Sequence, residues 1–236
     1  MPILTKEQIE NGYFHGIAGF PPLNSSDDRT NFACEVREYK GQKKLCIGCT
    51  QLDGHGYSEY RKKRIPIEWI DFLKTNTTAF KALHFCSHTS QALFDAACCQ
   101  EGLEELFFKW GTYKDLSALE NLPNLKYLWI GAGASVQDIM VLGEMRNLIV
   151  LCVENFKRIE NYSPLASLNN IEQLIIRGPI LGNTYIKDYE FLREMKSLVS
   201  VWFPNTKTRR RYTHDELKDL SSAMPNLQFL HNSHFY

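Results

Sequence analysis

The chain has 236 residues with 27 Lys and Arg against 27 Asp and Glu, so its formal charge is zero, and 44% of it is hydrophobic against 23% charged. These proportions exclude a disordered or collagen-like chain, and the charge balance removes any global pull toward nucleic acid or anionic lipid. No run approaches the ~18 apolar residues of a membrane-spanning helix, so no membrane partner is expected.

The opening, MPILTKEQIENGYF, has no basic segment leading into an apolar one, so no secretion signal is expected. Seven cysteines, with Cys98 and Cys99 adjacent, do not resemble a disulfide framework and point to a reducing, cytoplasmic setting. Residues 15–31 gather Gly16, Gly19, Pro21, Pro22 and an SSDD run, the composition of an irregular loop. Segments 32–40 and 43–49, joined by Gly41-Gln42, predict a β-hairpin. The PIEWIDFLK stretch at 66–74 predicts an amphipathic helix bearing Ile67, Trp69, Ile70, Phe72 and Leu73.

From residue 80 onward the chain repeats. The pattern apolar-x-x-apolar-x-apolar reads Phe80, Leu83, Phe85; Leu103, Leu106, Phe108; Leu125, Leu128, Ile130; Leu148, Leu151, Val153; Ile171, Leu174, Ile176; and Leu198, Val201, Phe203. A partial copy at Leu227 and Leu230 follows. Ahead of the strand, apolar residues recur every third position, as in Leu116, Leu119, Leu122 and Ile139, Leu142, Met145. Each unit therefore predicts a short helical arc and then a short strand. Asn124, Asn147, Asn170 and Asn226, with Ser197 in the matching slot, stand just before the strand; the tolerance of Asn for left-handed backbone predicts that conformation there. Ser163-Pro164 reads as an N-cap and first helical residue, and Thr213 with Glu216 as a capping box.

A single unit cannot bury its apolar edge, so the units must stack into a curved solenoid, an α/β architecture with a parallel sheet on the concave side and short helices or turns on the convex side. The pattern resembles the leucine-rich-repeat family, in particular the roughly 22-residue units of bacterial internalin-like proteins and phosphatase regulatory subunits. The resemblance covers residues 80–236, with 1–79 expected as an N-terminal cap. It departs from the family where an Asn usually follows the last strand residue by three: here stand Gly111, Gly133, Phe156, Pro179 and Thr206. The backbone at that turn must be satisfied in another way.

Side chains alternate along a strand, so residues between the core positions face the concave surface. The central column reads His84, Phe107, Trp129, Cys152, Ile175, Trp202, His231. The column before it reads Ala82, Glu105, Tyr127, Val150, Gln173, Ser200, Phe229; the column after it reads Cys86, Lys109, Gly131, Glu154, Arg177, Pro204, Ser233. A wet apolar stripe with a charged margin predicts an interaction site. Phe107, Tyr127, Trp129, Trp202 and Phe229 are the expected anchors, Cys152 and Ile175 complete the stripe, and Lys109, Glu154 and Arg177 set orientation. The alternatives are that the chain's own N-terminal loop or a second copy covers the stripe, or that the register is off by one.

The two longest units carry insertions at 178–187 and 205–212. The second holds Lys207, Arg209, Arg210 and Arg211, a basic edge suited to carboxylates or phosphate. Another basic run spans 61–64. Cys46 and Cys49 form a lone CxxC without the second pair that zinc requires, so no metal or cofactor is expected. Asp53, His55 and Ser58 lie close in sequence without a nucleophile elbow, and GAGAS at Gly131 lacks the Lys-Ser/Thr of a phosphate loop. The expected function is a non-catalytic protein-binding module acting by occlusion or recruitment, one form being an immunity or antitoxin-type inhibitor that masks a toxin domain. The alternative is nucleic-acid association through the basic runs.

Overall fold

The structure, a computed structural model, describes residues 2–14 and 31–231; the loop expected at 15–31, Asn31 aside, and Ser233 lie outside the described residues. Among the described residues, nine parallel strands form one sheet, ordered along the chain: β1 (Phe32–Ala33), β2 (Lys44–Ile47), β3 (Ala82–Thr89), β4 (Glu105–Gly111), β5 (Tyr127–Ile130), β6 (Val150–Glu154), β7 (Gln173–Arg177), β9 (Ser200–Trp202) and β11 (Phe229–His231). The fold is a leucine-rich-repeat solenoid, as expected.

The register matches the sequence pattern. Leu83, Leu106, Leu128, Leu151, Leu174, Val201 and Leu230 lie side by side across successive strands. Phe107, Trp129, Cys152, Ile175 and Trp202 form the neighbouring row on the opposite face. The inward row packs on a convex layer made of helices α2 (Glu59–Thr75), α3 (Gln91–Ala97), α4 (Met140–Glu144) and α5 (His214–Ser222), interleaved with 3-10 turns at Ser117–Asn121, Ser163–Ser167 and Glu190–Glu194. The three-residue spacing of Leu116, Leu119 and Leu122 suits a 3-10 turn, which brings i and i+3 to one side; all three are buried. Thr213 and Glu216 make the expected capping box on α5. The turn at Ser163 starts one residue earlier than read, with Asn161 Oδ1 accepting from the Ser163 N–H.

The predicted hairpin is corrected. β1 pairs with β2 in parallel, Phe32 beside Cys46 and Ala33 beside Ile47, with a 3-10 turn at Val36–Glu38 between them. Leu45 and Ile47 instead extend the core rows, opposite Leu83 and Phe85. The unit from β2 to β3 is long because it holds α2, a full helix capped by Ser58 that runs well beyond the expected 66–74, with Pro66 inside it. The sheet therefore continues through the 79/80 boundary.

Asn124, Asn147, Asn170 and Asn226 are not in the left-handed region. Their side-chain amides donate to carbonyls one repeat earlier, those of Glu101 (3.2 Å), Pro123 (2.7 Å), Arg146 (2.8 Å) and Lys196 (2.9 Å), and the Ser197 hydroxyl donates to Ile171 (2.6 Å). The left-handed non-glycine residues among those described sit after the strands, at Gln51, Ala132, Asn155 and Asn205. There the backbone bonds between repeats: Gly131 to Phe108, Gly133 to Glu154, Asn155 to Arg177 and Gly178 to Pro204, at 2.7–2.9 Å. These bonds replace the missing asparagine ladder. Gly131 is required because a Cβ there would collide with the carbonyl oxygens of Lys109 and Phe108.

Asn147→Ala removes one inter-repeat bond and should cost about 1 kcal/mol in urea unfolding. Gly131→Ala forces backbone apart and should cost more than about 2 kcal/mol. Equal costs would contradict this account of the turns.

Candidate functional site

The concave face is not open. Residues 3–14 lie across it and form with it a second apolar cluster, separate from the core under the convex layer: Leu4, Ile9 and Phe14 pack with Phe107, Trp129, Ile149, Val150, Cys152, Ile175 and Val199. Trp129 is 5% exposed, Phe107 3% and Cys152 0%. The expectation of a wet stripe is thus corrected for Phe107, Trp129, Cys152 and Ile175. Tyr127, Trp202 and Phe229 are half-buried at its edges, as are Lys109, Glu154 and Arg177 along the margin. The physical reason lies in the segment's own sequence, which supplies an apolar residue every five positions to a face too apolar to stay wet.

The covering segment carries local structure of its own. Thr5 and Gln8 make a reciprocal capping box that starts α1 (Lys6–Asn11), and Gly12 ends it at φ +89°. The chain then delivers two adjacent rings. Tyr13 stacks on Tyr127 with centroids 4.1 Å apart and planes 1° from parallel. Phe14 meets Trp129 edge-on at 5.6 Å and Phe107 at 5.9 Å. Each fully buried apolar side chain of this kind contributes about 1.5–3 kcal/mol.

Polar residues of the sheet take up the segment's main chain. Glu172 accepts from the Ile3 N–H at 2.7 Å and 2.9 Å, and from the Leu4 N–H at 2.9 Å. Gln173 accepts from the Tyr13 N–H (2.7 Å) and donates to the Gln8 carbonyl (3.0 Å). Ser200 donates to the Ile9 carbonyl (3.0 Å) and accepts from the Trp202 indole (2.9 Å). Burial of the polar side chains of Gln173 and Ser200 is therefore compensated. At the other end the Tyr13 hydroxyl donates to Glu105 Oε2 (3.0 Å), while Oε1 of the same carboxylate contacts His84 and has Lys44 at 3.5 Å. Burial alone would raise the Glu105 carboxyl, yet His84, Lys44 and Tyr13 together hold it down at about 2.

On the margin, burial pushes the Glu154 carboxyl up, partly offset by Arg177, its neighbour across β6 and β7. Arg177 sits 5.7 Å over the Trp129 ring, and its Nε is buried without an acceptor among the described residues.

The insertions are not plain loops. β8 (Thr184–Ile186) and β10 (Thr206–Thr208) pair in parallel as a separate two-stranded sheet. Each basic run spends two of its cations internally. Arg209 binds Glu160 and lies 3.8 Å over Tyr185, and Arg210 binds Glu190 and Glu216 at 2.8 Å. Arg61 binds Glu35 and Glu68, and Lys62 binds Asp53 and Glu59. Ser58, weighed above as a nucleophile, caps α2. Cys46 meets the thiol of Cys86, not that of Cys49, and no group of three or more His, Cys, Asp or Glu among the described residues is placed to hold a metal ion.

Sequence reading missed α1 as an element. The signals were present in Thr5-x-x-Gln8, Gly12 and the spacing of Leu4, Ile9 and Phe14.

No protein-family model matches the sequence, and no curated protein matches it. Among solved structures, internalin C2 from Listeria monocytogenes is 21% identical with a TM-score of 0.46, covering 71% of this chain and 69% of that one. An internalin, InlF, from the same organism is 15% identical with a TM-score of 0.37, covering 65% and 61%. The leucine-rich-repeat ectodomain of the Arabidopsis thaliana receptor kinase GASSHO1/SCHENGEN3 is 13% identical with a TM-score of 0.39, covering 60% of this chain and 17% of that one.

The Glu105 charge stabilises the fold above about pH 5, and that contribution is lost as pH falls through about 2, because the folded value lies below the unfolded one. Glu105→Gln should therefore lower stability in urea unfolding at pH 7, and the gap to wild type should close on acidification. A gap independent of pH would contradict this reading of the carboxylate.

Proposed function

We propose that this chain is a non-catalytic protein-binding module whose concave face takes up polypeptide. One observation carries the reading: that face already holds a peptide segment, with rings seated among Phe107, Tyr127 and Trp129 and main-chain groups met by Glu172, Gln173 and Ser200. In this reading Cys152 and Ile175 form the apolar floor, and Trp202 and Phe229, half-buried and in ring contact at 5.2 Å, lie at the edge of the stripe. Lys109, Glu154 and Arg177 orient the partner from the margin, and the Arg177 Nε, buried without an acceptor among the described residues, is a donor for it.

The more specific form is an immunity or antitoxin-type inhibitor that buries part of a toxin domain against this preformed surface. Seven cysteines held as free thiols support a reducing, cytoplasmic setting for it. The internal pairing of Arg61, Lys62, Arg209 and Arg210 weighs against nucleic acid as the partner.

Affinity capture followed by cross-linking should retain a partner on the wild-type chain through a rise to about 0.5 M salt, because apolar anchoring is less screened than phosphate contact. Trp202→Ala with Phe229→Ala, both half-buried, should keep the fold and lose that partner. Retention of the same partner by the folded double variant would overturn the proposed face.

A further inference from the structure

The manner in which residues 3–14 are held is that of a ligand. The segment contributes no strand to the nine-stranded sheet, and its apolar cluster is separate from the core. The solenoid's own backbone bonds between repeats close without it. Five of its main-chain groups are met by side chains of the sheet: the N–H groups of Ile3, Leu4 and Tyr13 and the carbonyls of Gln8 and Ile9. Such bonds read peptide backbone whatever side chains it carries. Identity is read at a few points: Leu4 and Ile9 on the apolar floor, and the Tyr13-Phe14 pair in the ring-lined seat. The Tyr13 hydroxyl bond to Glu105 separates tyrosine from phenylalanine at that position, since losing it leaves a buried carboxylate short of one donor.

We infer that the concave face selects, in a partner, a segment of this same chemistry — one short amphipathic helical turn followed by an adjacent Tyr-Phe pair — and that residues 3–14 are the resident competitor such a segment must displace. The inference rests on the binding-module reading and adds the partner's chemistry and the competition. An internal competitor multiplies the apparent affinity for any outside peptide by the fraction of molecules whose seat is empty, and so lowers it. Weakening the internal segment must therefore strengthen binding in trans.

The test uses the full chain and a fluorescent synthetic peptide of sequence PILTKEQIENGYF, matching residues 2–14. Tyr13→Ala with Phe14→Ala in the full chain should keep cooperative unfolding and bind the peptide at least about tenfold more tightly than wild type does. A peptide with the two rings replaced by alanine should not bind, and one with phenylalanine in place of the tyrosine should bind more weakly. Leu4→Ala, which loosens the segment from its other end, provides a second chain in case the ring variant does not fold, and it should also bind the intact peptide more tightly than wild type. A folded variant that takes up neither peptide, or that takes up both equally, overturns the inference. Loss of the captured partner in the Trp202→Ala, Phe229→Ala chain alongside a failed peptide test would leave the module reading standing and this inference refuted. Peptide binding without any captured partner would support the selectivity inferred for the seat and count against the module reading.

Discussion

The seat of Phe14 between Phe107 and Trp129 is the contact on which the concave side of this molecule depends. A solenoid built from short arcs and strands buries one face of its sheet as a matter of course, since each unit covers the apolar edge of the next. The other face has no such cover. Here it carries rings, Cys152 and Ile175 where a wetted sheet would carry polar residues, and water in contact with that stripe would be costly. The chain resolves the conflict by laying its own first residues across the stripe.

Covering a sheet with a peptide creates a second difficulty, because the peptide brings backbone groups that must be bonded. Glu172, Gln173 and Ser200 answer it from the starts of β7 and β9, and Glu105 answers the Tyr13 hydroxyl from the start of β4. These four are the polar residues that a bound peptide calls for on an otherwise apolar face. In the proposed reading the bonds these four make are what let the face take up polypeptide in preference to other apolar ligands.

Much of the fold was legible in the sequence. The spacing of Leu106, Leu128, Leu151 and Leu174 states the register directly, because stacked units repeat the same contact. The first units were hidden because α2 lengthens the interval between Leu45 and Leu83 beyond the period of the rest, so β1 and β2 looked like a hairpin. The row of Asn124, Asn147, Asn170 and Asn226 was visible, but its purpose was misread: amide bonds from repeat to repeat, rather than left-handed backbone, fix those residues. The site was half legible. Which residues face the hollow followed from alternation, whereas what lies over them did not, because a long-range contact such as Ile3 with Glu172 leaves no periodic trace. Gln173 and Ser200, polar in an apolar neighbourhood, were the residues that hinted at a cover.

Hydrogen exchange of the backbone amides of Ile3, Leu4 and Tyr13, followed by mass spectrometry or NMR in the intact chain, tests the occupied hollow most directly. These amides are bonded to Glu172 and Gln173 across the sheet, so they should exchange far more slowly than amides of an unstructured peptide, and Phe14→Ala should release all three together. Exchange at the unstructured rate in the wild-type chain would mean that residues 3–14 do not cover the stripe, and a hollow occupied by the chain's own first residues would be ruled out.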